Sequence, residues 1–486
     1  MSEFRTIEFY KTRESSSYRL LPFRFTSLDK DQYVLTNMSG EYLVSTRDKL
    51  LDLLQHKLSN EDPTYVELRS RHFLTDNNSS IAPELLAIKL RTRYDRLAEF
   101  TGLHIFVVTL RCEHSCSYCQ VSRQSEDKLR YDMSSEIAVG AIDLALRSPS
   151  KNIKIEFQGG EPLLNFELIK FVVLEAKKRN QRRGKNLAFV IATNLALINE
   201  HILTFCGQHS ILISTSLDGP KDLHNANRPR PGRDSYEKTI DGIKFVRQIL
   251  GKDRVSVLMT TTEASLNRVR EIIDEYLIQN LNGIFLRPLS PYGFAIKTKS
   301  YRAYNAERWL DFYKEGLEYI IDLNRQGIDF IEYYAATILK KMLTSEDPGY
   351  VDLMSPSGIG IGAVVYNYDG YVYASDESRM LAEMGEEKFR LGNVLEDSYE
   401  KIFTSPNLLD PLEESFAYSV PMCSDCAFEP YCGADPVFHY ALYRDYVGRK
   451  PESEFCSRNM ATFRFLIKKM EADKFIRQLF TKWANN

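Results

Sequence analysis

The segment Arg111–Cys119, with the sequence RCEHSCSYC, most constrains what this chain can fold into. It carries Cys112, Cys116 and Cys119, interleaved with polar residues that are typical of a solvated loop. Free cysteine usually packs as a small hydrophobe, so three thiols on a polar loop indicate a soft metal. A structural zinc site takes four protein ligands, whereas three cysteines leave one iron of a cubane open to a substrate. Structural zinc remains the alternative.

Composition excludes several classes of function. The 486 residues are 43% hydrophobic and 27% charged, which is ordinary for a globular protein of two or three domains. A net charge of -3 gives no electrostatic reason to expect nucleic acid or an anionic membrane as partner. The polar N-terminal segment and short apolar runs predict neither signal peptide nor membrane span. We therefore expect a cytoplasmic location, where the eight cysteines are metal ligands rather than disulfides. Cys206 alone lies in an apolar segment and is predicted to be a buried structural thiol.

Residues 1–100 are predicted to form a separate small α+β unit, because short strand patterns precede two helical patterns. The strands are expected at Tyr18–Phe25, Gln32–Asn37 and Glu41–Ser45, and the helices at Thr46–Leu58 and Pro63–Arg71. A structural cap is one interpretation of this unit.

Residues 101–330 alternate apolar strands with helices, which predicts parallel pairing with right-handed crossovers. The strands are expected at Gly102–Arg111, Asn152–Gln158, Leu187–Thr193, Ile211–Leu217, Val255–Thr261 and Gly283–Leu289. The helices are expected at Ser134–Arg147, Asn165–Asn180, Asn199–Phe205, Ser235–Leu250, Ala264–Ile278 and Asn305–Asn324. Six units rather than eight indicate an open, partial (β/α)6 barrel, with ligands at the carboxyl ends of its strands.

Polar motifs follow these strands, as that rule requires. The cysteine loop follows the first strand, and the sequence GGEP follows the second. Two glycines allow a close backbone approach to a ligand, and a carboxylate there can pair with an ammonium group. Each motif also has a simpler interpretation as a turn or a surface charge.

The spacing Cys-x3-Cys-x2-Cys, with Tyr118 before the last cysteine, resembles the cluster loop of the radical S-adenosylmethionine (radical SAM) enzymes. The resemblance implies that the methionine part of SAM chelates the open iron and that one electron then produces a 5'-deoxyadenosyl radical. It implies that Glu161 pairs with the SAM ammonium, that Ser214 meets the ribose, and that Asn194, Asp218 and Arg228 line the SAM or substrate side. The expected cofactor-binding residues are Tyr118, Gly159, Gly160, Glu161, Pro162, Asn194, Ser214, Asp218 and Arg228.

Residues 331–486 carry a second cysteine group, and zinc is a serious alternative there. Its members are Cys423, Cys426, Cys432 and Cys456. Their spacing resembles the fully liganded auxiliary cluster of the SPASM extension. Ser375 and Pro436 stand where that extension has ligands of a second auxiliary cluster. The resemblance therefore implies two 4Fe-4S clusters in the whole chain, one that binds SAM and one auxiliary.

Asp376, beside Ser375, matches the position of an acidic general base in some relatives. The alternative is that Asp376 and Glu377 form a solvated hairpin end after NYDGYVY.

The stretches LLPFRF, GYVYASDESRM and CGADPVFHY are most similar to the His-Xaa-Ser system radical SAM maturase of the B type. That resemblance implies a ribosomally made precursor peptide as substrate and an intrapeptide cross-link as product. It also implies a reductase, flavodoxin or ferredoxin as electron donor, and other maturation-system proteins as further partners. Residues 1–100 then resemble a winged-helix domain that recognises a leader peptide by adding it to a sheet edge. The alternatives are an anaerobic formylglycine-forming enzyme and a zinc-bearing binding protein.

Overall fold

The computed structural model describes residues 18–76, 79–116, 118–119, 123–292 and 305–485. In this part of the chain, strands form one sheet of eight, one of three and two of two. The strands are β1 (Tyr18–Leu20), β2 (Phe23–Ser27), β3 (Gln32–Asn37), β4 (Tyr42–Thr46), β5 (Leu74–Asp76), β6 (Leu103–Thr109), β7 (Asn152–Gly159), β8 (Asn186–Ala192), β9 (Leu212–Ser216), β10 (Val255–Leu258), β11 (Gly283–Ile284), β12 (Ile331–Glu332), β13 (Ala363–Tyr366), β14 (Tyr371–Tyr373) and β15 (Arg390–Asn393).

Helices connect and cover these strands. The α-helices are Arg47–Leu54, Pro63–Ser70, Ile81–Tyr94, Lys128–Tyr131, Ser135–Arg147, Phe166–Asn180, Glu200–Gln208, Lys221–Asn227, Ser235–Leu250, Val269–Ile278, Ala306–Arg325, Tyr333–Leu343, Asp376–Ala382, Tyr399–Phe403, Pro406–Glu414, Pro436–Tyr443, Glu454–Ala472 and Lys474–Ala484. No helix in the described ranges is both long and apolar enough to cross a membrane.

Strands β6 to β10 form the predicted partial barrel. They pair in parallel and lie side by side in chain order. Along β7, Ile153, Ile155 and Phe157 are buried under the helical layer, and the residues between them face the other side of the sheet. This alternation follows from the two-residue period of a strand. The fold class expected from the sequence is confirmed.

The sixth predicted strand differs from its expectation. Only Gly283–Ile284 is a strand, and it pairs with β12 rather than with β10. Pro288 lies in the rest of the predicted segment, and proline has no N–H to donate to a strand ladder. The sheet grows at its opposite side instead, where β13 pairs in parallel with β6 and is followed by antiparallel β14 and β15. One sheet therefore runs from the barrel into the C-terminal region.

The N-terminal residues form a small unit with its own core. Strands β2, β3 and β4 make an antiparallel sheet, and a separate cluster of buried side chains includes Tyr18, Leu35 and Phe73. The first predicted strand is divided at Leu21–Pro22, and β1 pairs with β5. The helix Ile81–Tyr94 was not predicted from the sequence, because its apolar residues do not all lie on a buried face.

This unit rests on the second cysteine region. Arg24 on β2 donates from Nε to the carbonyl of Ser424 at 2.5 Å and from Nη1 to Glu429 at 3.2 Å. The hydroxyl of Thr36 on β3 donates to the carbonyl of Ala427. These contacts from β2 and β3 place the three-stranded sheet directly against the segment that carries Cys423 and Cys426.

The C-terminal helix also differs from its expectation. In the sequence, Arg458–Trp483 places Phe463, Leu466, Ile467 and Met470 on one face and so predicts a single helix. The structure has two helices there, Glu454–Ala472 and Lys474–Ala484. Asp473 separates them, because its carboxylate accepts hydrogen bonds from the backbone N–H groups of Phe475 and Ile476. Such a side-chain cap favours the start of a new helix.

Candidate active site

A cavity of about 270 Å³ lies at the carboxyl ends of the barrel strands, where the fold places ligands. Its walls come from the cysteine loop, from the ends of β7, β8 and β9, and from the C-terminal region. The lining residues are Cys112, His114, Cys116, Tyr118, Cys119, Arg123, Glu156, Gln158, Gly159, Gly160, Ala192, Thr193, Asn194, Ser214, Thr215, Ser216, Arg228, Leu258, Arg287, Asp376 and Met380.

Three cysteine thiols meet in one wall of this cavity. Cys112, Cys116 and Cys119 are partly exposed to it. Burial raises the pKa of the Cys112 thiol well above its ordinary value and that of Cys116 to about 12. Free thiols here would therefore be neutral, whereas metal ligation takes the thiolate. No fourth cysteine lines the cavity, which fits a cluster that has one iron without a protein ligand.

Buried charges anchor this loop to the barrel. The hydroxyl of Tyr118 donates to Asp218 Oδ2 at 2.6 Å. Arg228 donates from Nε to Asp218 Oδ2 at 2.9 Å and from Nη2 to Oδ1 at 3.2 Å. Burial alone would raise the pKa of Asp218, but the charges of Arg228 and His224 and the hydrogen bonds from Arg228 and Tyr118 together hold that pKa below its usual range. Arg228 faces the cavity, and Asp218 lies fully buried behind it.

Polar contacts anchor the other end of the loop. Asn194 Nδ2 donates to Glu113 Oε1 at 2.9 Å, and the His114 ring contacts the Ser235 hydroxyl at 2.9 Å through Nε2. The backbone N–H of Ser115 donates to the carbonyl of Pro229 at 2.7 Å. The loop that carries the thiols is thus held from both sides before any cofactor binds.

The glycines of GGEP are needed because the backbone passes very close to the end of β6. A Cβ on Gly159 would lie 2.1 Å from the Thr109 carbonyl oxygen, and one on Gly160 would lie 2.2 Å from that of Arg111. Backbone hydrogen bonds join Gly160 N to Thr109 O at 2.8 Å and Glu161 N to Arg111 O at 2.7 Å. A side chain at either glycine would push this segment away from the cysteine loop.

Glu161 lies behind the cavity wall. Its carboxylate accepts hydrogen bonds from the Thr193 hydroxyl at 2.7 Å, from Leu163 N at 3.0 Å and from Asn194 N at 2.8 Å. Burial and the neighbouring Glu113 raise its pKa to about 7. In this arrangement Glu161 holds the turn after β8, and the buried Pro162 begins a short 3₁₀ helix. Of the expected cofactor-binding residues, Glu161, Pro162 and Asp218 do not line the cavity, whereas the other six do.

Another part of the cavity wall comes from the C-terminal region. Ser375 caps the helix Asp376–Ala382, and Asp376 opens this helix and faces the cavity. Glu377 is partly buried and contacts Arg287 at 3.4 Å, and burial raises its pKa to about 7. The solvated hairpin end considered from the sequence is therefore wrong for both carboxylates.

Sequence reasoning missed Glu156, Gln158 and Met380, although all three line the cavity. The strand alternation of β7 held a signal for the first two, since Lys154, Glu156 and Gln158 occupy the positions between the buried apolar residues. Met380 carried no such signal, because its helix reaches the cavity only through the pairing of β13 with β6.

Comparison with known proteins agrees with this geometry. The model of the Radical SAM superfamily matches residues 106–276. Residues 106–276 form a radical SAM domain.

Two solved structures and one curated relative extend the likeness beyond this domain. The anaerobic sulfatase-maturating enzyme anSMEcpe with bound AdoMet has a TM-score of 0.63 at 17% identity, over 79% of this chain and 96% of its own. Streptococcus suis SuiB bound to the precursor peptide SuiA has a TM-score of 0.52 at 13% identity, over 91% of this chain and 99% of its own. A cysteine-type anaerobic sulfatase-maturating enzyme of Clostridium perfringens is 23% identical over 333 residues, which are 66% of this chain and 84% of the relative.

The protein is an enzyme, and its cofactors are S-adenosylmethionine and iron–sulfur clusters. The sequence-based expectations of an enzyme and of these cofactors are confirmed.

The four thiols of the second cysteine group are not spaced as zinc ligands in this structure. Zinc bound at about 2.3 Å by four thiolates holds their sulfurs about 3.8 Å apart. Among the described residues, which include all four cysteines, no three of these thiols lie within 4.8 Å of one another. The backbone N–H of Phe428 donates to Cys426 Sγ at 3.4 Å, and Asn459 Nδ2 donates to Cys432 Sγ at 3.5 Å. Burial raises the pKa of the Cys426 thiol to about 12, so a free thiol at this position is protonated.

Proposed function

We propose that this enzyme modifies a ribosomally made precursor peptide by hydrogen abstraction from its side chains, and that the product is an intrapeptide cross-link in a peptide of the His-Xaa-Ser type. One observation carries the proposal. One cavity is lined by three thiols and also by the carboxylate of Asp376 and the guanidinium of Arg287. A radical generated in this cavity would therefore share it with ionisable groups.

Two sets of cysteines would hold the clusters. Cys112, Cys116 and Cys119 would hold a 4Fe-4S cluster with one open iron, and the second group would hold an auxiliary 4Fe-4S cluster. When bound, the first cluster supplies the electron that cleaves SAM to a 5'-deoxyadenosyl radical. The second set consists of Cys423, Cys426, Cys432 and Cys456.

The residues of the barrel would bind and orient SAM. Arg228 faces the cavity with its charge fixed by Asp218, so it suits the SAM carboxylate. Ser214 at the end of β9 offers a hydroxyl to the ribose. Glu161 would act from behind by holding the backbone of Asn194, and a small shift would bring its carboxylate toward the SAM ammonium.

Asp376 would act as the general base. It lines the cavity from the start of a helix, and its contact with Arg379 at 3.5 Å is long enough to leave the carboxylate available. The deoxyadenosyl radical would remove one hydrogen atom from the substrate. As the new bond forms, the second hydrogen would leave as a proton to a carboxylate oxygen of Asp376 and an electron to the auxiliary cluster. Arg287, which lines the same cavity, would place a positive charge near that carboxylate.

Residues 1–100 would bind the leader part of the peptide. The described part of this unit has a three-stranded antiparallel sheet followed by helices, which is the expected winged-helix pattern. The likeness to SuiB, whose solved complex contains the precursor peptide SuiA, covers 91% of this chain, whereas the likeness to anSMEcpe covers 79%. The longer match supports a precursor peptide as the substrate. A reductase, flavodoxin or ferredoxin would supply electrons, and other maturation proteins would assist.

Formylglycine formation on a partner protein is the second candidate. It is favoured by the curated relative from Clostridium perfringens, which is matched over 84% of its length. That reaction is an oxidation of one Cys or Ser and forms no new bond between residues.

Coexpression with a short peptide that contains repeated His-Xaa-Ser tests the proposal. We expect mass spectrometry to show the loss of two hydrogens per cross-link, with fragments that stay joined. A modified residue that reacts as an aldehyde would instead establish the second candidate. Anaerobic reconstitution should yield about eight irons per chain and an absorption shoulder near about 400 nm. A colourless, zinc-loaded protein that produces no 5'-deoxyadenosine would overturn both candidates.

A further inference from the structure

Glu156 is an acidic residue in an unusual position. It lies in the middle of β7 with its neighbours Ile105 on β6 and Val190 on β8 in register. Both neighbours are apolar, so neither offers the carboxylate a partner. The strand alternation turns Glu156 into the barrel, where it lines the cavity. A carboxylate in such a place costs folding free energy unless it has a polar partner.

The protein supplies Glu156 with little compensation. Gln158 Nε2 donates to Glu156 Oε1 at 2.8 Å, and among the residues that the structure describes Glu156 forms no ion pair. Asp376, from the C-terminal region, lies near enough for its negative charge to repel that of Glu156. Burial, and then Asp376, raise the pKa of Glu156 above its ordinary value. Two carboxylates therefore face the same space from the barrel and from the C-terminal helix.

Two of the three arginines that line the cavity have carboxylate partners other than Glu156. Arg228 is engaged by Asp218, and Arg287 contacts Glu377 at 3.4 Å. The pair of Glu156 and Asp376 thus offers acceptor oxygens to a ligand that brings N–H donors or positive charge. Such a ligand would replace the water that each carboxylate loses on burial and would relieve their repulsion.

We propose that Glu156 contacts the substrate and, together with Asp376, selects a target side chain that carries N–H donors. The chemical class of that side chain is an imidazole. This inference rests on the proposed function, since it names the side chain that enters the same cavity. Glu156 binds the side chain from the barrel wall, and Asp376 contacts it from the C-terminal wall. The role is substrate selection, and SAM is held by other residues.

The test uses the reconstituted holoenzyme loaded with SAM and two small probes, N-acetyl-histidinamide and N-acetyl-alaninamide. Ligand-observed NMR titration measures the Kd of each probe, and equilibrium dialysis measures the Kd of SAM. We expect the histidine probe to bind more tightly than the alanine probe, and Glu156→Gln to weaken the histidine probe by about tenfold. The Kd of SAM should change less than about twofold. Glu167→Gln, the same substitution on the exposed face of the helix Phe166–Asn180, should change neither value.

Equal binding of the two probes to the unaltered enzyme would overturn the inference. So would a Glu156→Gln enzyme that loses affinity for SAM and keeps affinity for the histidine probe. The result is separable from that of the proposed function, which is tested by the mass of the peptide product. Selective binding of the probe without a cross-linked product would reject the proposed function alone, whereas a cross-linked product with equal binding of the probes would reject this inference alone.

Discussion

The two cysteine regions of this enzyme are built in opposite ways. The first places three thiols on a polar loop that lines a cavity. The buried ion pair of Asp218 and Arg228 stabilises this loop, and Asp218 also accepts the hydrogen bond of the Tyr118 hydroxyl. The second places four thiols beneath other parts of the chain, and its support is packing from the N-terminal sheet and from the helix Glu454–Ala472.

This difference corresponds to two kinds of iron chemistry. A cluster that binds a substrate needs a wall that is open on one side, while a cluster that only transfers electrons benefits from complete protein ligation. The barrel loop has the first property, and the C-terminal group has the second. The following predictions concern substitutions that disrupt one cysteine region and leave the other intact.

Replacing Cys112, Cys116 and Cys119 together by alanine should have the largest effect. We expect no detectable 5'-deoxyadenosine, and an iron content of about four rather than about eight per chain, because only the auxiliary set remains. Chromatography of the reaction and an iron assay measure the two quantities. Cys206→Ala is the matched control, since that thiol is buried in the core away from both groups and should leave both values unchanged. Residual turnover in the triple variant would contradict the assignment.

Removing Cys426 and Cys432 should separate SAM cleavage from product formation. We expect about four irons to be lost and peptide product to fall by about tenfold or more, while uncoupled formation of 5'-deoxyadenosine persists. The physical reason is that these thiols lie outside the cavity that binds SAM. Parallel assays of nucleoside and peptide measure the split. Equal loss of both activities would show that the two regions do not act independently.

Asp218→Asn should destabilise the barrel loop. Arg228 would lose its buried partner, which costs about 3–5 kcal/mol. The folded pKa of Asp218 is lowered, so its contribution is complete above pH about 4 and is lost as the pH falls further. The difference in thermal midpoint between variant and parent should therefore be large at pH 7 and shrink in acid. Asp222→Asn, which removes an exposed partner of Arg268, is the control and should change the midpoint little. A constant difference across this pH range would disprove the assigned role.

Arg24→Met should have the smallest effect, and it acts on the second region only. It removes the donors to Ser424 and Glu429 and leaves the Glu429 carboxylate buried, which costs about 1–3 kcal/mol. We expect a lower thermal midpoint and faster loss of auxiliary iron to a chelator, with unchanged formation of 5'-deoxyadenosine. Arg19→Met, in the same unit but with an exposed contact to Ser79, should match the parent. Loss of SAM cleavage in Arg24→Met would contradict the separation of the two regions.

Much of the fold was predictable because it depends on local periodicity. The strands from β6 to β10 and the longer helices between them follow from the two periods of apolar residues, two for strands and 3.6 for helices. The rule that ligands lie at the carboxyl ends of parallel strands placed the cysteine loop beside Asn194 and Ser214. Other features depend on contacts that are distant in sequence. The pairing of β13 with β6 left no local pattern, so neither Met380 nor the position of Asp376 at the cavity could be derived. Glu156 was within reach, because it interrupts the apolar residues of its strand.

The parallel pairing of β13 with β6 has a mechanical consequence. Val365 lies in register with Ile105 at the centre of the barrel's first strand, so the C-terminal region is joined to the barrel by main-chain hydrogen bonds. Swinging that region away would break a ladder rather than bend a hinge. In the function proposed above, the distance that an electron would cross between the cavity and the second cysteine group is therefore set by a shared backbone.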